Sequence, residues 1–351
     1  MKVLIAPLDW GLGHATRCIP VIKAFLGQGA TVCIGADGPG KAVLEKEFPD
    51  LEHFTFPGTS ISYGSNTGLA ILSQVPGFLL SIKKEHQFLE REALQRKIDL
   101  VISDNRYGLW TKQCKTVLIT HQPFVKAPVL PFMEIVVQKR IRLWMDRFDH
   151  CWIPDCESVP NLSGDLSHKA KLSANTKFIG PLSRFKNSGK PHGRSGKILV
   201  ILSGPEPQRT WLEKEILKQI PELPYQFILA RGNPGLRPLE RIPGNAKVHE
   251  HLDSEEMEKA ILSSDAVISR PGYSTVMDLS VLGSKAGFIP TPGQTEQEYL
   301  AFHFNRQGMA AFSNQQTLDL KELISRALEG KPLKLLCESK VEEEVRTFLN
   351  S

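Results

Sequence analysis

The stretch SDAVISRPGYSTVMD, residues 264–278, decides the fold of the second half of this 351-residue chain. Its apolar run, residues 266–268, is typical of a buried strand and leads directly into a Ser-Arg-Pro-Gly turn. Ser274 or Thr275 then predicts a helix start, because both residue types are good N-caps. The free N–H groups and the dipole of such a start favour a diphosphate, and Arg270 adds a permanent positive charge.

The same alternation of short apolar runs and amphipathic patterns extends over the whole chain and predicts parallel sheets covered by helices. In the first half, strands are predicted at residues 2–6, 31–35, 100–103, 116–120 and 149–153. In the second half, they are predicted at residues 198–202, 226–230, 247–249, 266–268 and 286–289. The expected fold is α/β, with two Rossmann-like doubly wound domains facing a cleft. In such sheets ligands bind at the carboxyl ends of the strands.

The length of the chain suits two domains. Residues 1–182 are predicted to form an N-terminal domain, and residues 197–335 a C-terminal domain. The Ser-, Gly-, Pro- and Lys-rich segment 183–196 between them predicts a linker. Residues 336–351 are predicted to form a C-terminal helix that can pack on either domain, including back on the N-terminal one.

Composition narrows the class of protein. The formal net charge of +5 is spread along the chain, which disfavours a dedicated nucleic-acid binder. The six cysteines show neither Cys-x-x-Cys pairs nor zinc-finger spacing, so we expect them to be reduced and mostly buried. No signal-like or membrane-spanning apolar run is present in the sequence, which predicts a cytoplasmic protein.

The loop after the first strand contains Gly11-Leu12-Gly13-His14. Two glycines allow close backbone approach to a ligand, and a histidine at a helix start can act as a general base or hold a phosphate. A tight turn with a capping histidine explains the pattern equally well. Thr16 stands where a dinucleotide-binding fingerprint has its third glycine, so a nicotinamide enzyme is disfavoured.

A second glycine-rich loop, residues 35–41, fits the first seven positions of a P-loop. Ala42 replaces the hydroxyl residue that binds Mg²⁺, and Pro39 removes one backbone donor from the phosphate cradle. An ordinary turn at a strand end is therefore favoured over a nucleotide triphosphatase.

The segment Val248–Gly308 resembles the donor-binding half of GT-B glycosyltransferases, in particular the MurG-like branch that uses UDP-N-acetylglucosamine. The similarity rests on the Asp265-Ala-Val-Ile-Ser-Arg-Pro-Gly turn, the Ser-Thr helix and the glutamine-containing loop at 290–297. It continues more thinly through residues 11–14, 120–122, 178–181 and 201–204.

The resemblance implies an enzyme that moves N-acetylglucosamine or another hexose from a nucleotide diphosphate, usually UDP, to an acceptor hydroxyl. The resemblance also implies inversion, with the N-terminal domain on the acceptor side and the C-terminal domain binding the nucleotide sugar. No carboxylate pair in the sequence has obvious metal-ligand spacing, so we expect neither a metal nor a cofactor. Ser203 and Gly204 would line the diphosphate, Arg270 would lie beside the nucleotide, and backbone near Leu252 would bind the base. The remaining implied donor contacts are those of Gly11 and Gly13 to the diphosphate, Gly272, Tyr273, Ser274 and Thr275 to the α-phosphate, Asp278 to the ribose, and Glu296 with Gln297 to the sugar.

Some positions depart from the family pattern. Asp278 stands where relatives usually carry Glu, and Leu300 stands where many carry Asn. The segment Pro205-Glu206-Pro207 replaces small residues that donate backbone N–H groups. These differences bear on the choice of sugar and base.

Transfer to a hydroxyl requires a base, and three candidates occur in loops after strands. His14 is the first choice, Asp104 at the end of a predicted strand is the second, and Glu206 is the third. His121, which also follows a strand, is expected to support the acceptor.

The acceptor is expected to be a glycan or a lipid-linked sugar. Segments 68–84 and 132–147 mix apolar and basic residues, which fits either a peripheral contact with the inner face of the membrane or a half-buried helix with solvated charges. Two other functions fit the same pattern: a nucleotide-sugar epimerase or hydrolase, and a non-catalytic nucleotide-sugar-binding protein.

Overall fold

The computed structural model describes residues 1–56, 68–125, 131–169, 171–186, 195–232, 238–239, 241–334 and 337–349. The chain divides into two compact units. Unit 1 comprises Met1–Arg184 together with Leu336–Ser351, and unit 2 comprises Phe185–Leu335. Residues 187–194 of the predicted linker lie outside the described residues.

Unit 1 is built on a parallel sheet whose strands are β1 Lys2–Pro7, β2 Thr31–Ala36, β3 Glu52–Thr55, β4 Leu100–Asp104, β5 Lys115–Ile119, β6 His150–Ile153 and β7 Thr176–Phe178. Their spatial order is β3-β2-β1-β4-β5-β6-β7. Strands β1 and β4 are buried along nearly their whole length, which explains their continuous apolar sequences. The order reverses between β1 and β4, so the loops after these strands diverge and leave a crevice, here called the unit 1 switch point.

The helices of unit 1 are α1 Leu12–Gly27, α2 Gly38–Glu47, α3 Gly68–Arg96, α4 Pro131–Met145, α5 Asp165–His168 and α11 Val341–Leu349. Helix α1 begins directly after the β1 loop, with Gly11 as its N-cap at φ +104°, a backbone conformation that favours glycine. Its buried residues Ala15, Cys18, Ile22 and Phe25 recur every three to four positions, so one face of α1 packs on the sheet.

Unit 2 is built on a second parallel sheet with the strands β8 Lys197–Ile201, β9 Gln226–Ala230, β10 Ala246–His249, β11 Ala266–Ser269, β12 Ala286–Phe288 and β13 Ala310–Phe312. Their order is β10-β9-β8-β11-β12-β13. The reversal falls between β8 and β11 and defines the unit 2 switch point. The core of this unit contains Ile198, Val200 and Ile268 from these two strands.

The helices of unit 2 are α6 Gln208–Gln219, α7 Ser254–Leu262, α8 Tyr273–Leu282, α9 Thr295–Arg306 and α10 Leu320–Glu329, with 3-10 turns at Ile220–Glu222 and Gln315–Thr317. Helix α7 starts with a capping box in which Asp253 and Glu256 each accept from the other's backbone N–H. Helix α8 ends at Gly283, whose left-handed φ of +65° provides the C-terminal turn.

The prediction that Ser274 or Thr275 caps helix α8 is wrong. The helix begins one residue earlier, at Tyr273, and its N-cap is Gly272 in an extended conformation without a side-chain hydrogen bond. The turn before the helix thus ends on a residue with no side chain. Ser274 and Thr275 lie within the first turn instead.

Three short strands, β3, β7 and β13, were not expected from the sequence. They have three or four residues each and are only partly buried, as in β3, where neither end residue is buried. Such strands are too short to show a period of two, so pairing with a neighbouring strand rather than a sequence pattern defines them.

The expectation that all cysteines are reduced is wrong for two of them. Cys156 and Cys337 form a disulfide across 181 residues of sequence, with a Cα–Cα distance of 5.8 Å. The other four, Cys18, Cys33, Cys114 and Cys151, are free. The pair meets only because the C-terminal segment returns to unit 1, which no local spacing in the sequence indicates.

This C-terminal segment is held to unit 1 by several contacts. Lys340 N donates to Ile179 O at 2.7 Å, and Lys177 Nζ pairs with Glu344 at 2.8 Å. A Cβ on Gly180 would collide with the Glu338 backbone oxygen, so the close approach requires glycine. Helix α11 then packs against α1.

Candidate functional site

The unit 1 switch point gathers polar side chains from separate elements. His14 and Arg17 lie on the first turns of α1, Asp104 ends β4, and His121 follows β5. In the parallel pairing, Pro7 is in register with Asp104, so the loop after β1 starts beside this carboxylate. The sheet register therefore brings His14 and Asp104 together across 90 residues of sequence.

Asp104 is the centre of a buried hydrogen-bond network. Its Oδ2 lies 2.9 Å from His14 Nδ1, and its Oδ1 accepts from Arg17 Nε at 2.8 Å and also contacts Arg17 Nη2. Arg17 Nη1 lies 2.8 Å from His121 Nδ1. The side chains of Arg17 and Asp104 are at most 1% exposed, whereas that of His14 is 15% exposed. His14 thus has more access to its surroundings than the two groups that hold it.

The tautomer of His14 follows from what its neighbours can donate and accept. Arg17 Nη2 lies 2.8 Å from His14 Nδ1, but a guanidinium only donates and an ionised carboxylate only accepts. A bare Nδ1 would set a lone pair against Asp104 Oδ2. A protonated Nδ1 donates to that oxygen, while Arg17 Nη2 is satisfied by Asp104 Oδ1. We therefore assign the Nδ1–H tautomer, which leaves a lone pair on His14 Nε2.

The network also sets the charges of its members. Burial, and then the positive charge of Arg17, lower the pKa of His14, although Asp104 acts in the opposite direction. Burial alone would raise the pKa of Asp104, but Arg17 and then His14 outweigh it, so the pKa of this carboxyl is lowered. At neutral pH the arrangement holds a carboxylate anion beside a neutral imidazole, which is the state that a general base requires.

The other two candidate bases have different surroundings. Asp104 is 0% exposed and its oxygens are occupied by Arg17 and His14, which favours a role in orienting His14. Glu206, in unit 2, accepts from Arg209 Nε at 2.7 Å and from Thr210 N at 3.2 Å. Burial acts to raise the pKa of Glu206, but these hydrogen bonds lower it. Glu206 is therefore held as a paired anion at the start of α6.

At the unit 2 switch point, loops after three neighbouring strands approach one another. Gly204 follows β8 at φ +104°, and a Cβ built on it would lie 3.3 Å from Thr291 Oγ1 and 3.9 Å from Arg270 Nε. Both of these polar atoms are buried without a hydrogen-bond partner among the described residues, and so is Ser269 Oγ at the end of β11. Buried donors and acceptors are normally paired, so these atoms are able to hydrogen-bond a polar group that enters between the loops.

Arg270 is a buried cation whose hydrogen-bond partners in the described part of the chain are all neutral. Its Nη1 donates to Ile289 O and Pro290 O, each at 2.8 Å, and its Nη2 to Gln208 O at 3.3 Å and to Gln315 Oε1. Burial lowers its pKa to about 10, so Arg270 remains charged at neutral pH. These contacts fix the guanidinium, and Nε lies 3.9 Å from a Cβ built on Gly204.

The remaining predicted donor residues lie on the loops and helix starts of unit 2. Ser203 is exposed beside Gly204, and Leu252 is buried immediately before the capping residue of α7. Gly272 borders open space at the start of α8, since a Cβ there would meet nothing within 4 Å. Tyr273 is buried in the first turn of α8, and Asp278 follows 5 residues later with 8% exposure.

Glu296 and Gln297 occupy the first turn of α9 but differ in their surroundings. Gln297 is buried, and its Oε1 accepts from Thr291 N at 2.9 Å, so this side chain braces the loop after β12. Glu296 is only half-buried. Within the described residues, no group of three or more His, Cys, Asp or Glu side chains is arranged to hold a metal ion.

Arg17, Thr291 and Gln315 were missed as site residues by sequence reasoning. Arg17 follows His14 by three positions on a helix, which places both on one face, and this spacing was an available signal. Thr291 lay within a loop already singled out as polar. Gln315 reaches Arg270 from 45 residues away and carries no local signal.

Two parallel-sheet α/β units define a GT-B fold, and solved glycosyltransferases share it. SnogD from Streptomyces nogalater superposes with a TM-score of 0.63 at 16% identity, covering 100% of this chain and 95% of that one. MurG from Acinetobacter baumannii superposes with a TM-score of 0.55 at 15% identity, covering 100% and 99%. The predicted fold class is confirmed.

Sequence relatives give the activity. Residues 208–345 match the family model for the glycosyltransferase family 28 C-terminal domain. An uncharacterized glycosyltransferase of Methanosarcina acetivorans is 26% identical over 344 residues, covering 90% of this chain and 86% of the relative. A UDP-N-acetylglucosamine–N-acetylmuramyl-(pentapeptide) pyrophosphoryl-undecaprenol N-acetylglucosamine transferase of Buchnera aphidicola is 28% identical over 155 residues, covering 43% and 42%. The chain is a GT-B glycosyltransferase with MurG-like relatives, as the resemblance implied.

Proposed function

We propose that this glycosyltransferase transfers a hexose, with N-acetylglucosamine the first candidate, from a UDP-linked donor to an acceptor hydroxyl with inversion. Unit 2 binds the donor diphosphate and His14 of unit 1 is the base. The observation that carries the donor site is that Arg270 Nε and Thr291 Oγ1, which both lie within 4 Å of a Cβ built on Gly204, are buried without hydrogen-bond partners among the described residues.

A diphosphate satisfies this cluster better than a neutral ligand does. Its oxygens accept from Arg270 Nε and from the Thr291 hydroxyl, and its charge balances a guanidinium whose hydrogen-bond partners among the described residues are neutral. The start of α8, beside Gly272, presents the positive end of a helix dipole to an anion. These groups stabilise a departing diphosphate, and in the proposed reaction they take the place of a metal ion.

The donors of similar proteins support UDP first and a thymidine nucleotide second. The Buchnera aphidicola relative is named for UDP-N-acetylglucosamine. Two structural neighbours, VinC and the spinosyn rhamnosyltransferase SpnG, are crystallised with dTDP or thymidine diphosphate. A match in sequence is a more direct indication of the donor than a shared fold, so uridine is the nucleoside that we propose.

The transfer is a single displacement. The acceptor hydroxyl oxygen attacks the anomeric carbon while its proton passes to His14 Nε2, and the bond from that carbon to the diphosphate oxygen breaks. Attack opposite the leaving group inverts the configuration. Asp104, hydrogen-bonded to His14 Nδ1, stabilises the imidazolium that forms and keeps the ring in place.

A nucleotide-sugar panel tests the proposal. Thermal unfolding is measured with UDP, GDP, TDP and their sugar esters, and we expect the UDP compounds to raise Tm most. Gly204→Ala should remove the shift, because a Cβ there approaches Thr291 Oγ1 and φ is +104°. Gly244→Ala is a matched control, since a Cβ at Gly244 meets nothing within 4 Å. If no nucleotide changes Tm, the donor site is wrong.

An activity assay separates the transferase from its rivals. With UDP-sugar and a hydroxyl acceptor, we expect transfer that persists in EDTA. Consumption of the donor at the same rate without an acceptor would instead indicate a hydrolase or an epimerase. Tight binding with no turnover on any acceptor would indicate a binding protein.

We propose further that the acceptor is lipid-linked and that unit 1 contacts anionic membrane. Helices α3 and α4 pack together through Phe78 and Trp144, whose ring centroids are 5.9 Å apart. Each helix carries an exposed apolar pair followed four residues later by an exposed basic pair. These are Leu79-Leu80 with Lys83-Lys84, and Ile135-Val136 with Lys139-Arg140. Such a surface suits an anionic interface.

Flotation with liposomes tests this surface. The protein should float with vesicles that contain anionic lipid and not with neutral ones, and Leu80→Glu with Val136→Glu should abolish flotation. Trp211→Glu, an exposed apolar position in unit 2, is the control. Flotation independent of anionic lipid would remove the proposal.

No helix in the described part of the chain could span a membrane. The side chains of residues 68–75 and 132–134 lie outside that part.

A further inference from the structure

Arg17 is a buried cation that contacts a carboxylate and two histidines. We propose that Arg17 is the positioning residue of the transfer step, because it fixes Asp104 and holds His14 and His121 in opposite tautomers. His14 then carries its lone pair on Nε2, and His121 carries its proton there. This inference rests on the proposed role of His14 as the base.

The planar guanidinium divides its donors among these partners. Arg17 Nε and Nη2 both face Asp104 Oδ1, and Nη1 faces His121 Nδ1 at 2.8 Å. The contacts span 87 and 104 residues of sequence, so the side chain joins α1 to the ends of β4 and β5. A lysine side chain has a single nitrogen, so it cannot reproduce the hydrogen bonds to Asp104 and to His121 at the same time.

The contact with Arg17 fixes the tautomer of His121. Guanidinium nitrogens carry only hydrogens, so the contact between Arg17 Nη1 and His121 Nδ1 at 2.8 Å is a hydrogen bond only if Nδ1 accepts. His14 Nδ1 lies at the same distance from Arg17 Nη2, but there the anionic Asp104 Oδ2 competes for the proton and decides the tautomer. A proton on His121 Nδ1 would set two N–H groups against each other. His121 is therefore neutral with its proton on Nε2, the reverse of His14. One histidine is prepared to take a proton and the other to donate a hydrogen bond.

Arg17 also sets the charge around His14. The ionisable groups that act on His14 are Arg17 on α1, Asp104 on β4 and His121 after β5. Burial raises the pKa of two further members of this site, Cys18 and Tyr107, the latter to about 12, so both are uncharged at neutral pH. The cation of Arg17 thus balances the anion of Asp104. Without it, His14 would sit beside an uncompensated carboxylate and bind a proton more readily.

Side-chain ¹⁵N–¹H spectra of the histidines test the tautomers without any need for activity. His14→Gln and His121→Gln assign the signals among the ten histidines of the chain. In the native protein at pH 7 we expect a proton on Nδ1 of His14 and on Nε2 of His121. In Arg17→Lys, His121 should become a mixture of tautomers. Native His121 protonated on Nδ1, or tautomers unchanged in Arg17→Lys, would overturn the proposal.

The pH dependence of kcat/KM tests whether the positive charge of Arg17 opposes the protonation of His14. Arg17→Gln should move the acid limb upward by about one pH unit, because the cation that opposes protonation of His14 is gone. Arg106→Lys is the control, since Arg106 is equally buried but pairs with Asp9 and Glu85. A lower rate with an unmoved limb would make Arg17 a structural residue only.

The outcomes separate this inference from the proposed function. If the native enzyme transfers no sugar from any donor, the proposed function fails, while the spectra still decide the tautomers. If Arg17→Gln does not fold, the native protein and Arg17→Lys carry the spectroscopic test. Circular dichroism and Tm of each variant establish which case applies.

Discussion

The two switch points occupy equivalent places in their sheets, but their polar side chains differ in whether they have hydrogen-bond partners. In unit 1, between β1 and β4, the oxygens of Asp104 are taken up by His14 and Arg17. In unit 2, between β8 and β11, Arg270 Nε and Thr291 Oγ1 are buried without partners among the described residues. A saturated network suits a group whose protonation state must be set in advance. An unsaturated one suits a ligand that brings its own charge.

The difference predicts that variants of the two sites separate chemistry from binding. His14→Ala should lower turnover by about 10²- to 10⁴-fold, because the base is lost, while the donor-induced rise in Tm stays the same. His53→Ala, at a histidine whose Nε2 lies 2.8 Å from Phe48 O in the same unit, is the control. Near-normal turnover in His14→Ala would end the assignment of His14 as the base.

Arg270→Gln should have the converse effect. Donor affinity, measured by calorimetry, should fall by roughly 10- to 100-fold, since a charge-assisted hydrogen bond contributes about 1.5–3 kcal/mol. Arg326→Gln, at an exposed pair with Glu322, is the control and should bind as the native protein does. Unchanged affinity in Arg270→Gln, in a variant that unfolds at the native Tm, would show that the unpartnered nitrogen does not serve the donor.

We expect protonation of His14 to lower the rate of transfer without changing the binding of the donor to unit 2. The pKa of His14 lies below its ordinary value of 6.5, so the neutral base persists to lower pH than in a free imidazole. We expect kcat/KM to be constant above about pH 6.5 and to fall about tenfold per unit below the pKa of His14. Donor binding should not follow this limb, because Arg270 has a pKa of about 10. An acid limb centred above pH 7 would contradict the network.

The smallest effect is expected at Gln315. Its Oε1 accepts from Arg270 and its Nε2 donates to Gln208 Oε1 at 2.9 Å, so it holds the guanidinium from one side. Gln315→Ala should weaken donor binding by about 2- to 10-fold, the worth of one ordinary hydrogen bond. Gln307→Ala, an exposed glutamine hydrogen-bonded to His303, should leave it unchanged. An effect as large as that of Arg270→Gln would make Gln315 a direct contact.

Much of the fold could be predicted because the central strands are buried on both faces and appear as apolar runs such as residues 266–268. The short edge strand β13 could not, since three residues show no periodicity. The rule that ligands bind at the carboxyl ends of strands selected His14, Asp104 and Arg270 as candidates, and these assignments stay predictions.

What the sequence could not provide was the pairing between distant residues. Arg17 acquires its role from contacts with Asp104 and His121, 87 and 104 residues away. The Cys156–Cys337 disulfide depends in the same way on where the C-terminal segment returns. The predicted N-cap of α8 was wrong because Ser274 and Thr275 are residue types that favour this position. In the structure the loop already ends at Gly272, so the helix begins before them.

The packing of the C-terminal segment on unit 1 has a consequence for biosynthesis. Because α11 packs on α1, the helix that bears His14 gains this neighbour only after the residues that follow unit 2 have left the ribosome. Unit 2 is continuous in sequence and is synthesised in full before that moment. At that stage a nascent chain holds a complete second unit and an incomplete first one, and loss of α11 would damage the unit whose other elements were synthesised before unit 2.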